Sequence, residues 1–90
     1  MKTYWTRESK PGLEKLLQEN RKLGAKVLEL LLDIDKYSDS PLQGKGKPER
    51  LRGNPSEFYS RRITEKHRLI YSYLAEGICI ISCYGHYDDR

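Results

Sequence analysis

The strongest constraint on the fold is an apolar stripe at helical spacing in the first half of the chain. Apolar residues recur there every three or four positions, which is typical of a helix that buries one face. The stripe comprises Leu23, Val27, Leu30, Leu31 and Ile34. Leu28 and Leu32 widen it, so this helix is expected to pack on more than one neighbour and to end near Tyr37.

The segments around this helix predict a small mixed architecture. Residues 2–6 alternate in polarity and are β-prone, and Ser9 is a candidate cap for a helix that begins near Pro11. The predicted later strands are a short one at 49–52 and three longer runs at 58–64, 68–74 and 78–84. The order β-α-α-β-β-β-β, with tight loops between the last strands, predicts an α+β fold: an antiparallel sheet with both helices on one face.

Length and charge limit the possible functions. A chain of 90 residues is long enough for one domain, so residues 1–90 are expected to form a single unit. The net charge of +4 suits nucleic acid, an acidic protein or an anionic membrane surface. No stretch has the roughly 20 apolar residues of a membrane span, and the N-terminus lacks a signal-peptide core, so a cytoplasmic location without a membrane partner is expected.

The two cysteines predict core thiols rather than chemistry. Cys79 and Cys83 lie four residues apart in one apolar run, which on a regular strand places them on one face roughly 13 Å apart. That separation is too long for a disulfide. Since no CxxC or HxxxH spacing occurs, no metal site is expected.

Arginines inside predicted strands need an explanation, because desolvating a guanidinium is costly. Arg61 and Arg62 either lie at an edge or pair with Glu49 or Glu65, or they line a basic face that binds phosphate. A two-residue loop between the strands would put Arg62 and Arg68 on opposite faces, whereas a three-residue loop, 65–67, would put them on the same face. A shared site therefore predicts the three-residue loop.

Two further residues suit acid–base chemistry on RNA. Glu49 and His86 are a carboxylate and an imidazole that can act as base and acid at a phosphodiester, with the RNA 2′-hydroxyl as nucleophile. That chemistry needs no metal and no cofactor. Each residue taken alone is more often structural or simply exposed.

The loop at 44–48 and the tyrosines also admit two interpretations. The loop, Gly-Lys-Gly-Lys-Pro, is either a solvated basic loop or an arm for RNA phosphates. Tyr71 and Tyr73 share a strand face and are expected in the core. Tyr59 and Tyr87 are candidates for stacking on an unpaired base.

These segments together resemble the YoeB/Txe branch of the RelE toxin superfamily. The resemblance lies in Gly-Lys-Gly-Lys-Pro-Glu at 44–49, Ser-Arg-Arg-Ile-Thr-Glu at 60–65, His-Arg-Leu-Ile-Tyr at 67–71 and Cys-Tyr-Gly-His-Tyr at 83–87. The opening Tyr4-Trp5 and the helical pair also fit, so the resemblance covers nearly the whole chain. It implies a RelE-like fold and an endoribonuclease that cuts messenger RNA in the ribosomal A site.

The resemblance also implies roles and partners. Glu49 would be the general base, His86 the general acid and Arg68 the group that stabilises the charged phosphorane. Tyr87 would orient the nucleotide. The implied phosphate, RNA or ribosome contacts are Arg62, Lys45, Lys47 and Arg52. An acidic antitoxin of the YefM/Axe type would silence the toxin, and a homodimer is another implied assembly.

Two departures from the family pattern bear on these roles. Arg52 stands where related chains often carry lysine, which keeps the charge. Asp88-Asp89-Arg90 follows Tyr87, where related chains often end, so Tyr87 has no terminal carboxylate to offer.

Two other classes of protein compete with the nuclease. A ParE-like relative would poison DNA gyrase by protein contact and would not need the Glu49/His86 pair. A basic RNA-binding module without catalysis would keep all measurable behaviour after Glu49→Ala, because removing an acidic group does not weaken RNA binding.

Overall fold

A computed structural model describes residues 1–53 and 57–85, and its elements follow the predicted order. The helices are α1 (Ser9–Glu19) and α2 (Lys22–Lys36). The strands are β1 (Lys2–Trp5), β2 (Glu49–Arg50), β3 (Tyr59–Arg62), β4 (Arg68–Tyr73) and β5 (Gly77–Ser82). The α+β class is confirmed, and α2 ends one residue before Tyr37.

The five strands form one sheet in the order β1-β5-β4-β3-β2. Strands β2 to β5 form the predicted antiparallel meander, but β1 runs parallel to β5, so the sheet is mixed. Lys2 pairs with Gly77 at the start of this parallel ladder, where an added Cβ at residue 77 would lie 1.9 Å from the Lys2 carbonyl oxygen. The short loops at 63–67 and 74–76 fix the antiparallel direction of β3 to β5, whereas the helices that follow β1 leave its direction open.

The helices and one face of the sheet enclose the core, as predicted. Leu16 of α1 and Val27, Leu30 and Ile34 of α2 belong to a single buried cluster. The sheet side of this cluster consists of Leu69, Tyr71, Ile78 and Ile80, with Ile63 and Cys83 at its ends. We call this side of the sheet the helix face and the other side the open face.

Two expectations about particular helix residues are wrong. Ser9 is the first residue of α1 and not its cap: its N–H donates to the Thr6 hydroxyl at 3.1 Å and its own hydroxyl donates to the Thr6 carbonyl at 2.8 Å. α2 does pack on more than one neighbour, since it contacts both α1 and the sheet, but Leu28 and Leu32 do not widen its buried face and remain 58% and 65% exposed. No helix in the described part of the chain is both long enough and apolar enough to cross a bilayer.

The cysteines are free, but the expectation that they share one face is wrong. The β4–β5 register shifts between Ile70 and Tyr71, so that Tyr71 pairs with Ile80 while Ile70 pairs with Ser82. This irregularity places Cys83 in the core, whereas Cys79 pairs with Ser72 on the open face. Burial raises the pKa of the Cys83 thiol to about 11, which keeps it protonated.

Candidate active site

The strand register brings three of the predicted site residues to the open face. Glu49 of β2 pairs with Ser60 of β3, and Arg62 of β3 pairs with Arg68 of β4. Side chains two residues apart on a strand share a face, so Glu49, Arg62 and Arg68 project from the same side. Between them lies Ile70, which pairs with Ser60 and is buried. An exposed carboxylate and two half-buried guanidinium groups therefore surround a buried floor.

The loop between the two arginines differs from the predicted one. Five residues, 63–67, separate Arg62 from Arg68, and the N–H groups of Ile63 and Thr64 both donate to the His67 carbonyl, at 2.9 and 3.2 Å. Because five is also an odd number, the arginines still share a face. The predicted common side is thus confirmed with a longer loop, and Arg62 Nη1 lies 4.0 Å from the exposed Glu65 carboxylate.

Arg61 lies on the opposite, helix face, so the interpretation of it as a phosphate-binding residue is wrong. Its side chain is fully buried and its Nη1 donates to Asp33 of α2 at 2.5 Å. Its Nε donates to the Tyr71 hydroxyl at 3.0 Å. The partner is neither Glu49 nor Glu65, which sequence reasoning had considered, because both lie away from this face.

The Arg61–Asp33 pair also holds the basic loop that leads to Glu49. Arg61 donates to the carbonyls of Gln43 at 2.9 Å and Lys45 at 3.0 Å, and Asp33 accepts the Lys45 N–H at 2.7 Å. Burial acts to raise the pKa of Asp33, but the hydrogen bonds and charges of Lys45 and Arg61 outweigh it, so the pKa is lowered. Gly44, at φ +108°, leaves no room for a Cβ, which would lie 2.1 Å from the Asp33 carboxylate. We call the Arg61–Asp33 ion pair, together with the loop backbone at 43–45 that it binds, the loop latch.

The other predicted RNA contacts lie outside the strands and are more widely spread than Glu49, Arg62 and Arg68. Lys45 turns toward α2, where its Nζ lies 3.3 Å from Glu29 Oε2. Lys47 is exposed and follows Gly46, whose carbonyl accepts the Arg62 N–H at 2.6 Å, so the loop runs beside the open-face arginine. Arg52 is exposed beyond β2, on the border of a cavity of about 600 Å³ that Glu49 also lines.

Tyr59, Tyr71 and Tyr73 lie in or against the core and are not base platforms. Tyr59 packs edge-on against Tyr73 at 5.1 Å and lies 6.1 Å from Tyr71, so the prediction that it stacks on a base is wrong. The core position of Tyr71 and Tyr73 is confirmed. Burial raises the pKa of Tyr71 to about 12, despite the opposing effect of Arg61.

The last two predicted site residues, His86 and Tyr87, lie outside the described residues. Gly85, at φ +78°, lies beside the start of β4, where the Arg68 N–H donates to its carbonyl at 3.0 Å. The Gly85 N–H in turn donates to Nδ1 of His67 at 2.8 Å.

Sequence reasoning missed Asp33 and His67. Asp33 lies one turn after Leu30 on the apolar stripe of α2, and a carboxylate on a buried stripe signals a cationic partner. His67 opens the His-Arg-Leu-Ile-Tyr segment at 67–71, but no sequence pattern marked it as functional. No group of three or more His, Cys, Asp or Glu residues within 1–53 and 57–85 could hold a metal ion.

Comparison with known proteins identifies the family. The family described as YoeB-like toxin of bacterial type II toxin–antitoxin systems matches residues 5–87. Toxin YoeB of Escherichia coli K12 is 39% identical over 87 residues, which is 97% of this chain and 100% of the relative. Toxin YoeB of Synechocystis is 43% identical over 70 residues, 78% of this chain and 79% of the relative.

Solved structures give the same result. The YoeB dimer from Staphylococcus aureus superposes with a TM-score of 0.85 at 36% identity, covering 97% of this chain and 98% of that one. The YoeB chain of a heterotetrameric YoeB–YefM complex from the same organism gives 0.82 at 36% identity with the same coverage. On this evidence the chain belongs to the YoeB-like family and is a toxin of the type II toxin–antitoxin class.

Proposed function

We propose that this toxin is an endoribonuclease that cleaves messenger RNA in the ribosomal A site by metal-independent acid–base chemistry. The observation that carries the proposal is the shared open face, on which Glu49, Arg62 and Arg68 project together. The backbone that leads to His86 runs beside Arg68, since the Arg68 N–H bonds to the Gly85 carbonyl. A carboxylate and two cations thus share one face, and the residue before the proposed acid lies beside one of those cations.

The reaction is an internal transesterification. Glu49 removes the proton from the 2′-hydroxyl, whose oxygen attacks the adjacent phosphorus. The bond from phosphorus to the 5′-oxygen breaks, leaving a 2′,3′-cyclic phosphate, and His86 donates a proton to the departing 5′-oxygen. Arg68 stabilises the negative charge that builds on the phosphorane oxygens.

The other candidate residues bind rather than react. Arg62 faces Arg68 across the strand pair and is proposed to hold a neighbouring phosphate, since guanidinium suits bidentate contact with phosphate oxygens. Lys47 and Arg52 are exposed next to β3 and β2, while Lys45 pairs with Glu29 on α2; all three are proposed to contact RNA or the ribosome. Tyr87 is proposed to orient the nucleotide.

A neighbouring antitoxin is proposed to silence the toxin. A relative has been solved in complex with a YefM antitoxin and another as a dimer. The net charge of +4 favours an acidic partner, and exposed Leu28 and Leu32 on α2 offer apolar contact area. We therefore propose an acidic antitoxin of the YefM/Axe type as the cognate partner, and a homodimer as a second assembly.

Induced expression without antitoxin tests the function. The wild-type chain should halt translation, while Glu49→Gln and His86→Ala should each allow growth and leave the mRNA uncut. Glu14→Gln, an exposed carboxylate on α1, is the matched control and should remain toxic. Full toxicity of both site variants would overturn the acid–base mechanism. Toxicity with uncut mRNA and inhibited DNA gyrase would favour the gyrase-poison alternative.

A further inference from the structure

His67 contacts the backbone that leads to the proposed general acid. Its ring is 2% exposed and its Nδ1 accepts the Gly85 N–H at 2.8 Å. The neighbouring Arg68 N–H donates to the Gly85 carbonyl at 3.0 Å. The N–H and the carbonyl of Gly85 are thus hydrogen-bonded by two consecutive residues, His67 and Arg68. The carbonyl is the one in the peptide bond to His86.

The other ring nitrogen of His67 is bound as well. Its Nε2 lies 2.8 Å from Oε1 of Glu19, the last residue of α1. Because Nδ1 accepts a hydrogen bond from an N–H donor, the proton of the neutral ring must lie on Nε2 and point to the carboxylate. The hydrogen bond from His67 is the main reason that the pKa of Glu19 is lowered.

A tyrosine closes the arrangement. The Tyr84 ring lies against the His67 ring with centroids 4.4 Å apart, and its hydroxyl donates to Glu19 Oε2 at 3.2 Å. Glu19 therefore accepts bonds from His67 and from a residue two positions before His86. We call Glu19, His67 and Tyr84 the tail clamp.

We propose that His67 is a positioning residue for cleavage: the tail clamp fixes Tyr84 and Gly85, the two residues before His86, so that the acid meets the departing 5′-oxygen. This inference rests on the proposed function, because it assigns His67 a role only through His86. Displacing a catalytic group by about 1 Å costs on the order of 100-fold in rate. Loss of the clamp should therefore lower the maximal cleavage rate far more than the apparent affinity for RNA.

Two isosteric substitutions separate the functions of the two ring nitrogens. His67→Asn places an amide oxygen near the position of Nδ1 and keeps the acceptor for Gly85. His67→Gln places its amide near Nε2 and keeps the donor to Glu19 while losing that acceptor. In single-turnover cleavage of mRNA on ribosomes, the glutamine variant should be roughly 10- to 100-fold slower at saturation, with half-saturation changed less than about twofold. The asparagine variant should retain most of the rate.

Amide hydrogen exchange supplies a readout that does not depend on activity. Gly85 should lose protection in His67→Gln and keep it in His67→Asn, while the amide of Arg68 should stay protected in both. If the buried substitutions impair folding, Glu19→Ala changes only an exposed carboxylate and should lower the maximal rate by a smaller factor, with Glu14→Ala unchanged as its control.

The outcomes distinguish this inference from the proposed function. An active His86→Ala variant would overturn the proposed function itself. An inactive His86→Ala together with a full maximal rate in folded His67→Gln and Glu19→Ala would overturn the clamp alone. Equal losses in the asparagine and glutamine variants, in proportion to their loss of folded protein, would also overturn it. If the inference is correct, the double variant His67→Gln, His86→Ala should cleave no more slowly than His86→Ala alone.

Discussion

The two segments that lead to the proposed base and acid are held by different physics. The loop before Glu49 is fixed by the loop latch, a buried ion pair in which Arg61 is fully buried and Asp33 is 9% exposed. The segment before His86 is fixed by the tail clamp, in which buried His67 joins two exposed residues, Glu19 and Tyr84. Loss of the buried latch should therefore destabilise the whole fold, whereas loss of the exposed Glu19 from the clamp should change the position of the segment with little effect on stability.

The largest expected effect on stability follows removal of the acidic half of the latch. Asp33→Ala leaves the Arg61 guanidinium buried without its counter-ion, and we expect a loss of about 3–5 kcal/mol in the free energy of unfolding, measured by urea titration. Asp35→Ala, an exposed carboxylate on the same helix, is the control. A loss below about 1 kcal/mol, as for an exposed ion pair, would remove the contrast between latch and clamp.

Gly44 and Gly85 provide a matched pair with the next largest effect. Both have positive φ, so alanine at either position should cost about 1–2 kcal/mol in backbone strain. At position 44 the Cβ also meets the Asp33 carboxylate, whereas at position 85 nothing lies within 4 Å. Gly44→Ala should therefore destabilise by about 2–4 kcal/mol in total and Gly85→Ala by the strain alone. Equal urea midpoints would show that the latch tolerates displacement.

The smallest expected effect is on how the free energy of unfolding depends on pH. Because the folded-state pKa of Asp33 lies below its ordinary value of 3.8, its carboxylate stabilises the fold above that value. This contribution is lost as the pH falls through the lower, folded-state pKa. The difference in unfolding free energy between wild type and Asp33→Asn should thus be constant above about pH 5 and shrink below about pH 4. A difference that persists unchanged to pH 2 would contradict the assignment.

The contrast also explains what the sequence could predict. Periodicity located both helices and the β2–β5 meander, because these depend on local spacing and short loops. The parallel pairing of β1 with β5 depends on residues 75 positions apart, as between Lys2 and Gly77. No local pattern encodes that choice.

The candidate site, like the fold, was predicted where local patterns decide and missed where distant residues meet. The open-face position of Glu49, Arg62 and Arg68 follows from strand alternation once the hairpin is known. The partner of Arg61 was missed because Asp33 lies 28 residues earlier on another element. The place of His67 in the clamp was missed for the same reason, since Glu19 and Gly85 are 48 and 18 residues away.

The central claim is that Glu49 and His86 act in one step at one phosphodiester, and a double-mutant cycle tests it most directly. Single-turnover rates of 2′,3′-cyclic phosphate formation would be compared for wild type, Glu49→Gln, His86→Ala and the double variant. Each single change should cost roughly 10²–10⁴-fold, and the double variant should be scarcely slower than the slower single one. Fully multiplicative losses, or unchanged rates in either single variant, would contradict a shared site.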